Sequence, residues 1–254
     1  MGKLDGKVAL ITGAGQGVGQ GVAFALAKEG ASVAVAGRTE SKLVVTCNEI
    51  AERGGRAEPV LMDIADADSI TGAVARTVEL FGGVDILINN ASLNPLGNVL
   101  DLTPERLADG LTSGPRRDSA NHASLLPVHE GARRRGAIIN MVSSVAVRWD
   151  AAGYGGYAAV KESVRASVAR QHANGASTGS GSTRLLPHAS SPGLQRWADA
   201  RPEEAAAFVA GIPLRRIGDC EADIGTAVAF LVGPDAAYLT GATIPLDGGQ
   251  SRWG

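Results

Sequence analysis

The sequence predicts an α/β fold in which a doubly wound parallel sheet of about seven strands carries helices on both faces. Three observations lead there. Short apolar runs alternate with amphipathic stretches along most of the 254 residues, the pattern of repeated βαβ units. Two of the runs, Val84–Ile88 and Ala137–Val142, are nearly continuously apolar, as strands covered on both faces must be. A glycine-rich turn joins the first apolar run to the first helical stretch.

The elements follow in order. "VALIT" (8–12) reads as a strand, and "GVAFALAKEG" (21–30) as a helix ended by Gly30. "SVAVAG" (32–37) is the second strand, 41–53 a helix, and "AEPVLMDI" (57–64) the third strand. Residues 66–81 form a helix with Asp66 or Asp68 near its cap. "VDILINNA" (84–91) and "GAIINMVSS" (136–144) are strands four and five, and a helix begins at 157 and runs to 171. A late helix spans 223–233, and a last strand lies within 241–249. No repeat or linker divides the chain, so residues 1–254 form one domain.

Composition narrows the function classes. The chain is 44% hydrophobic and 20% charged, with a net charge of −2. It has the apolar content for a sizeable core and no excess of positive charge to hold nucleic acid or an anionic membrane. Cys47 and Cys220 lack metal-type spacing and read as reduced thiols. His122, His129, His172 and His188 are scattered, and no metal site or role is assigned to them. No targeting segment or run of transmembrane length is present, so the expected location is the cytoplasm.

"TGAGQGVG" (12–19) sits between a strand and a helix, with Gly13, Gly17 and Gly19 in a G-x-x-x-G-x-G pattern. A dinucleotide pyrophosphate must approach backbone N–H groups at a helix N-terminus, and side chains would obstruct it. This is a Rossmann-type cofactor loop. At the end of the second strand, where an acid would bond the adenosine ribose of NAD, the chain has Gly37 followed by Arg38. A guanidinium pairs with the 2′-phosphate of NADP. NADP(H) is therefore the preferred cofactor, with NAD(H) the alternative.

Tyr157 and Lys161 are four positions apart and share one face of a helix. A phenol is a poor acid–base group at neutral pH, and a nearby ammonium corrects this by stabilising the phenolate. Tyr154 is a competitor, but it lies seven positions from Lys161 in a Gly-rich turn. Ser144 ends strand five, 13 residues before Tyr157. Ligands in open α/β sheets lie beyond the carboxyl ends of the strands, where a serine could orient a substrate oxygen. Ser143 points to the opposite face if the strand alternates to its end.

Together these pieces resemble the short-chain dehydrogenase/reductase family over nearly the whole chain. The resemblance rests on "TGAGQGVG", "MDI", "NNAS", "VSS" before "YAAVK", "SPG" and "LDGG", in that order. It implies a catalytic set of Ser144, Tyr157 and Lys161. It implies a cofactor set of Gly13, Gly17, Val18, Gly19, Arg38, Asp63, Ile64, Asn89, Ala91, Tyr157, Lys161, Pro192 and Gly193. Within this set Asp63 and Ile64 would hold the adenine, Asn89 would also brace the sheet, and Lys161 would bond the nicotinamide ribose. It further implies a homo-oligomer, dimer or tetramer.

The chain departs from the family pattern in two places. In "LTSGPRRDSANHAS" (111–124), Leu111 takes the position of a family Asn that holds a water, and Asn121 is the only nearby Asn. This puts the expected apolar interface helix, and with it the assembly, in question. After Gln171 a Gly/Ser/Thr-rich part, 174–183, reads as a flexible loop where the family has a strand. Two compensated reading-frame shifts or a divergent pocket would each give such a pattern. Segments 92–98, 145–154 and the stretch after Gly193 should surround the substrate, with Trp149, Leu194 and Trp197 as apolar walls.

The expected function is an NADP(H)-dependent oxidoreductase interconverting a secondary alcohol and a ketone. A nucleotide-binding relative without turnover is the alternative.

Overall fold

The computed structural model describes residues 2–92, 102–110, 136–148, 153–175 and 181–251. The positions named above at Leu111, Asn121, His122, His129 and Trp149, and most of 92–98, lie outside the described residues. Seven strands form one sheet in the order β3-β2-β1-β4-β5-β6-β7, and every pairing is parallel. They are β1 (Val8–Thr12), β2 (Ser32–Gly37), β3 (Arg56–Leu61), β4 (Ile86–Asn89), β5 (Ala137–Met141), β6 (Gly181–Pro187) and β7 (Thr243–Leu246). The helices are α1 (Gly17–Lys28), α2 (Glu40–Glu52), α3 (Ala67–Phe81), α4 (Gly155–Gly175), α5 (Pro192–Ala200), α6 (Pro202–Gly211) and α7 (Thr226–Val232).

Strand alternation divides the core in two. Ala9 and Ile11 of β1 join Val33, Val35, Ile86 and Ile88 under α1, α2 and α7. Leu10, between them, joins Ala34, Val60, Leu87 and Ile138 under Ile70, Ala73 and Val74 of α3. Because side chains alternate along a strand, a continuous apolar run is needed to line both interiors. Sequence signals place the helix ends well. Asp66 caps α3 by accepting the Asp68 amide at 2.9 Å, and Gly82 closes that helix at φ +83°. α1 begins four residues before the sequence reading, directly on the glycine loop.

Three expectations need correction. Residues 181–183, read as part of a loop, belong to β6, and 174–175 belong to α4. β6 is a central strand bonded to β5 and β7. Its neighbours supply the hydrogen-bond ladder that "GSTRLLP" does not advertise by composition. Ser182 accepts from Asn140 Nδ2 at 3.1 Å, and the buried Arg184 donates to the carbonyls of Arg165, Gly241 and Ala242. Secondly, β5 stops at Met141, and Ser144 opens a short 3-10 turn, Ser144–Val147. Thirdly, the late helix begins as a widened turn, Cys220–Gly225, whose backbone lies against Gly21 of α1. No helix among the described residues is long and apolar enough to cross a membrane.

Candidate active site

The predicted site residues lie at the carboxyl ends of the parallel strands, where the strand order turns outward from β1 and β4. Gly13 and Gly17 have φ of +69° and +61°, a left-handed backbone that other residues rarely adopt. A Cβ on Gly19 would stand 2.5 Å from both Asn90 Nδ2 and Gly13 O, so a side chain there would collide with the loop itself. A Cβ on Gly17 would stand 3.2 Å from Pro192 Cδ, which brings the glycine loop against the start of α5. α1 opens at Gly17 with no side-chain cap and no acid in its first turn. Its first N–H groups have no capping side chain, and the end of the helix is positive. Val18 is half-buried against the core behind them.

Two residues outside the predicted set hold this loop in shape. Thr12 Oγ1 accepts the amides of Asn90 and Ala91, each at 3.0 Å. Asn90 Nδ2 donates to the carbonyls of Thr12 and Gly13 at 2.9 and 3.2 Å. The glycine loop is thereby tied to the end of β4. Both residues stand in motifs that the sequence displays, "TGAG" and "NNAS", beside the positions chosen. Asn89 donates to Asn140 Oδ1 at 2.8 Å, and Asn140 passes the chain on to Ser182, so three strands share one buried polar ladder.

Arg38 is exposed immediately after β2, and Gly37 before it leaves only glycine where an acid could stand. Asp63 accepts the Ala65 amide at 2.8 Å, which fixes the turn after β3, while Ile64 packs on the α3-side core. Pro192 and Gly193 form the first turn of α5, which Ser191 caps by accepting the Leu194 amide at 3.2 Å. The glycine cradle and the uncapped helix end together fit the pyrophosphate of a dinucleotide.

Ser143 and Ser144 take different duties. Ser143 Oγ accepts the Val145 amide at 3.3 Å and caps the 3-10 turn. Ser144 is fully buried, and its Oγ has no hydrogen-bond partner among the described residues. α4 packs on this turn and brings in Tyr157 and Lys161. Lys161 is 5% exposed and donates from Nζ to the carbonyl of Met141, the last residue of β5, at 2.9 Å. Its ammonium lies 5.8 Å from the centre of the Tyr157 ring. The Tyr154 ring meets Tyr157 edge-on at 6.1 Å and is the more exposed of the two.

Beside these lies His188, to which the sequence assigns no role. His188 follows β6 directly and meets Phe208 of α6 edge-on at 5.3 Å. Trp197 of α5 meets the same ring at 5.8 Å, and the Arg148 guanidinium lies over it at 5.0 Å. Arg148 ends the turn that Ser144 begins, and it donates to Gln250 Oε1 at 3.3 Å. Once 181–187 is read as a strand, His188 becomes a residue at a carboxyl strand end. That was the signal available in the sequence.

Burial pushes the His188 imidazole down to about 4, with Arg148 acting in the same direction and Asp247 opposing. An unfolded histidine takes up its proton near pH ~6.5. Between about 6.5 and about 4 the unfolded chain therefore binds a proton that the folded chain refuses, and stability falls as pH falls. The loss between pH ~7.5 and ~5 should be about 2 kcal/mol. Urea unfolding at both pH values, in the native chain and in His188→Leu, measures it. The variant should lack this part of the acid sensitivity, and an identical pH dependence in both proteins would refute the assignment.

Known proteins share this fold over nearly the whole chain. A family model described as enoyl-(acyl carrier protein) reductase matches residues 13–251. The chain is 31% identical over 260 residues to a 12α-hydroxysteroid dehydrogenase of Clostridium sp., covering 99% of both chains. It is 32% identical over 251 residues to the 3-oxoacyl-[acyl-carrier-protein] reductase FabG of Vibrio cholerae, covering 97% of this chain and 98% of that one. Among solved structures, a short-chain dehydrogenase from Burkholderia cenocepacia in complex with NADP is similar with a TM-score of 0.85 and 28% identity, covering 98% and 99% of the two chains. A dehydrogenase/reductase from Sinorhizobium meliloti gives a TM-score of 0.87 at 28% identity, covering 98% and 96%.

Proposed function

The chain belongs to the short-chain dehydrogenase/reductase family, and on that premise we propose that it interconverts a secondary alcohol and a ketone with NADP(H) at Ser144, Tyr157 and Lys161. It is an NAD(P)-dependent oxidoreductase of CH–OH and C=O groups. The observation that carries this reading is the buried Oγ of Ser144, without a hydrogen-bond partner among the described residues, on a turn that α4 covers with Tyr157 and Lys161. A buried hydroxyl without a partner is costly. A substrate oxygen would satisfy it.

In the reducing direction the cofactor supplies hydride to the carbonyl carbon. Ser144 donates a hydrogen bond to the substrate oxygen and fixes its position. Tyr157 gives that oxygen its proton. The negative charge then left on the phenol oxygen develops near the buried Lys161 ammonium, where a low dielectric strengthens the attraction. Oxidation runs the same transfers backwards. Gly13, Gly17, Gly19 and the amide of Val18 would cradle the pyrophosphate, with Asp63, Ile64, Asn89 and Ala91 along the adenosine and ribose. Lys161, Pro192 and Gly193 would stand at the nicotinamide end. Arg38 would pair with the 2′-phosphate, and this favours NADP(H) over NAD(H). A homo-oligomer remains the assembly that membership of this family leads one to expect.

The test is a fluorescence titration with NADPH beside NADH, followed by turnover on a panel of small ketones. NADPH should bind more tightly and be consumed with at least one ketone. Binding without turnover across the panel would move the chain to the nucleotide-binding alternative.

A further inference from the structure

Among the described residues, two buried side-chain polar atoms lack a hydrogen-bond partner: Ser144 Oγ and His188 Nδ1. Orphaned buried polar atoms are rare in folded proteins, and each calls for an explanation, a catalytic role or a bound group among them. These two are neighbours by topology. β5 and β6 pair side by side, and their last paired residues are Met141 and Leu185. Ser144 lies three residues beyond the first and His188 three residues beyond the second. Both orphans therefore follow the carboxyl ends of two neighbouring strands, which run about 4.8 Å apart where they pair.

We propose that His188 is a second substrate contact of the site, and that the substrate is a ketone, or its alcohol, bearing a second hydrogen-bonding oxygen close to the reacting one. This rests on the oxidoreductase reading above, with Ser144 taking the reacting oxygen. An imidazole without charge offers one N–H and one lone pair, so it serves a carbonyl or a hydroxyl equally well. The ring is braced rather than free: Phe208 stands edge-on to it, and its own amide donates to Leu246 O at 2.9 Å. Phe208 and Trp197, on the two helices α5 and α6, supply apolar surface for the carbon frame that joins the oxygens. The two contacts follow the ends of adjacent strands, one in the turn after β5 and one directly after β6, so the second oxygen belongs near the first, as in a 1,3-dioxygenated compound, and not at the far end of a long molecule.

The experiment compares ethyl acetoacetate with 2-heptanone, a ketone of similar length without the second oxygens. kcat/KM is measured for both in the native protein, His188→Leu and His188→Asn. The ester's greater electrophilicity is common to all three proteins and cancels in the comparison. His188→Leu should lose about tenfold to a hundredfold on acetoacetate, mostly in KM, and less than about threefold on heptanone. His188→Asn should recover part of the loss, since its amide restores a polar partner. An equal loss on both ketones, or none on either, overturns the proposal.

Dissociation constants of the two ketones for NADPH-loaded Tyr157→Phe protein, with and without His188→Leu, separate this from the reading it rests on. A preference for acetoacetate that depends on His188, in a protein whose native form turns over neither these two ketones nor any of the panel above, sinks the catalytic reading of Ser144, Tyr157 and Lys161 and upholds the contact. No preference there sinks the contact itself.

Discussion

Tyr157→Phe should lower turnover of any accepted ketone by about a hundredfold to ten-thousandfold, the range in which a positioned proton donor contributes. The substitution removes one oxygen and leaves the ring, so its edge-on packing against Tyr154 stays. Folding should be intact, with a thermal midpoint close to that of the native chain. NADPH binding should weaken by no more than about tenfold, the worth of a single neutral hydrogen bond. Steady-state rates and a cofactor titration on the same preparation check both parts. A variant that keeps more than about a tenth of native kcat would place the proton donor elsewhere. Tyr154 is then the first residue to replace, since its ring lies beside Tyr157.

Arg38→Asp should reverse the cofactor preference. Arg38 is exposed just beyond β2, so the substitution disturbs no packing. It removes a charge-assisted partner for the 2′-phosphate and puts a like charge in its place. NADPH affinity should fall by about tenfold to a hundredfold or more. NADH affinity should hold or rise, because an acid at this strand end bonds the ribose hydroxyls. Paired titrations at one fixed ionic strength measure the ratio, since the phosphate contribution is screened by salt. A ratio that does not move would mean that Arg38 is only a solvated surface residue. Arg38→Gln, which deletes the charge without reversing it, should fall between the native chain and Arg38→Asp.

The site was legible in the sequence where chemistry demands a residue type at a fixed spacing. The glycines of "TGAGQGVG" announce a close backbone approach, and the structure gives Gly13 and Gly17 the backbone that needs glycine. Tyr157 and Lys161 share a helix face at four-residue spacing, and α4 carries both. The supporting residues were less legible. Thr12 and Asn90 are ordinary polar residues, and only their meeting across β1 and β4 makes them the brace of the loop. Ser143 and Ser144 differ by one position in the sequence. The turn that begins at Ser144 gives one hydroxyl to the Val145 amide and leaves the other unpaired.

By itself the sequence determined the βαβ order and the boundaries of most of the elements it named, and it singled out the glycine loop and the Tyr157–Lys161 pair as candidates. All of these rest on local rules: periodicity, backbone freedom at glycine, and capping. Only the tertiary structure decided that "GSTRLLP" is a central strand, because a strand's hydrogen bonds come from its neighbours and not from its own residues. That one decision carried His188 from a histidine without a role to the carboxyl edge of the sheet. There Phe208 packs on its ring, Arg148 lies close by, and its Nδ1 is buried without a partner among the described residues. A contact between residues 188, 208 and 148 depends on three separate connections folding back to one edge, and no local rule encodes that.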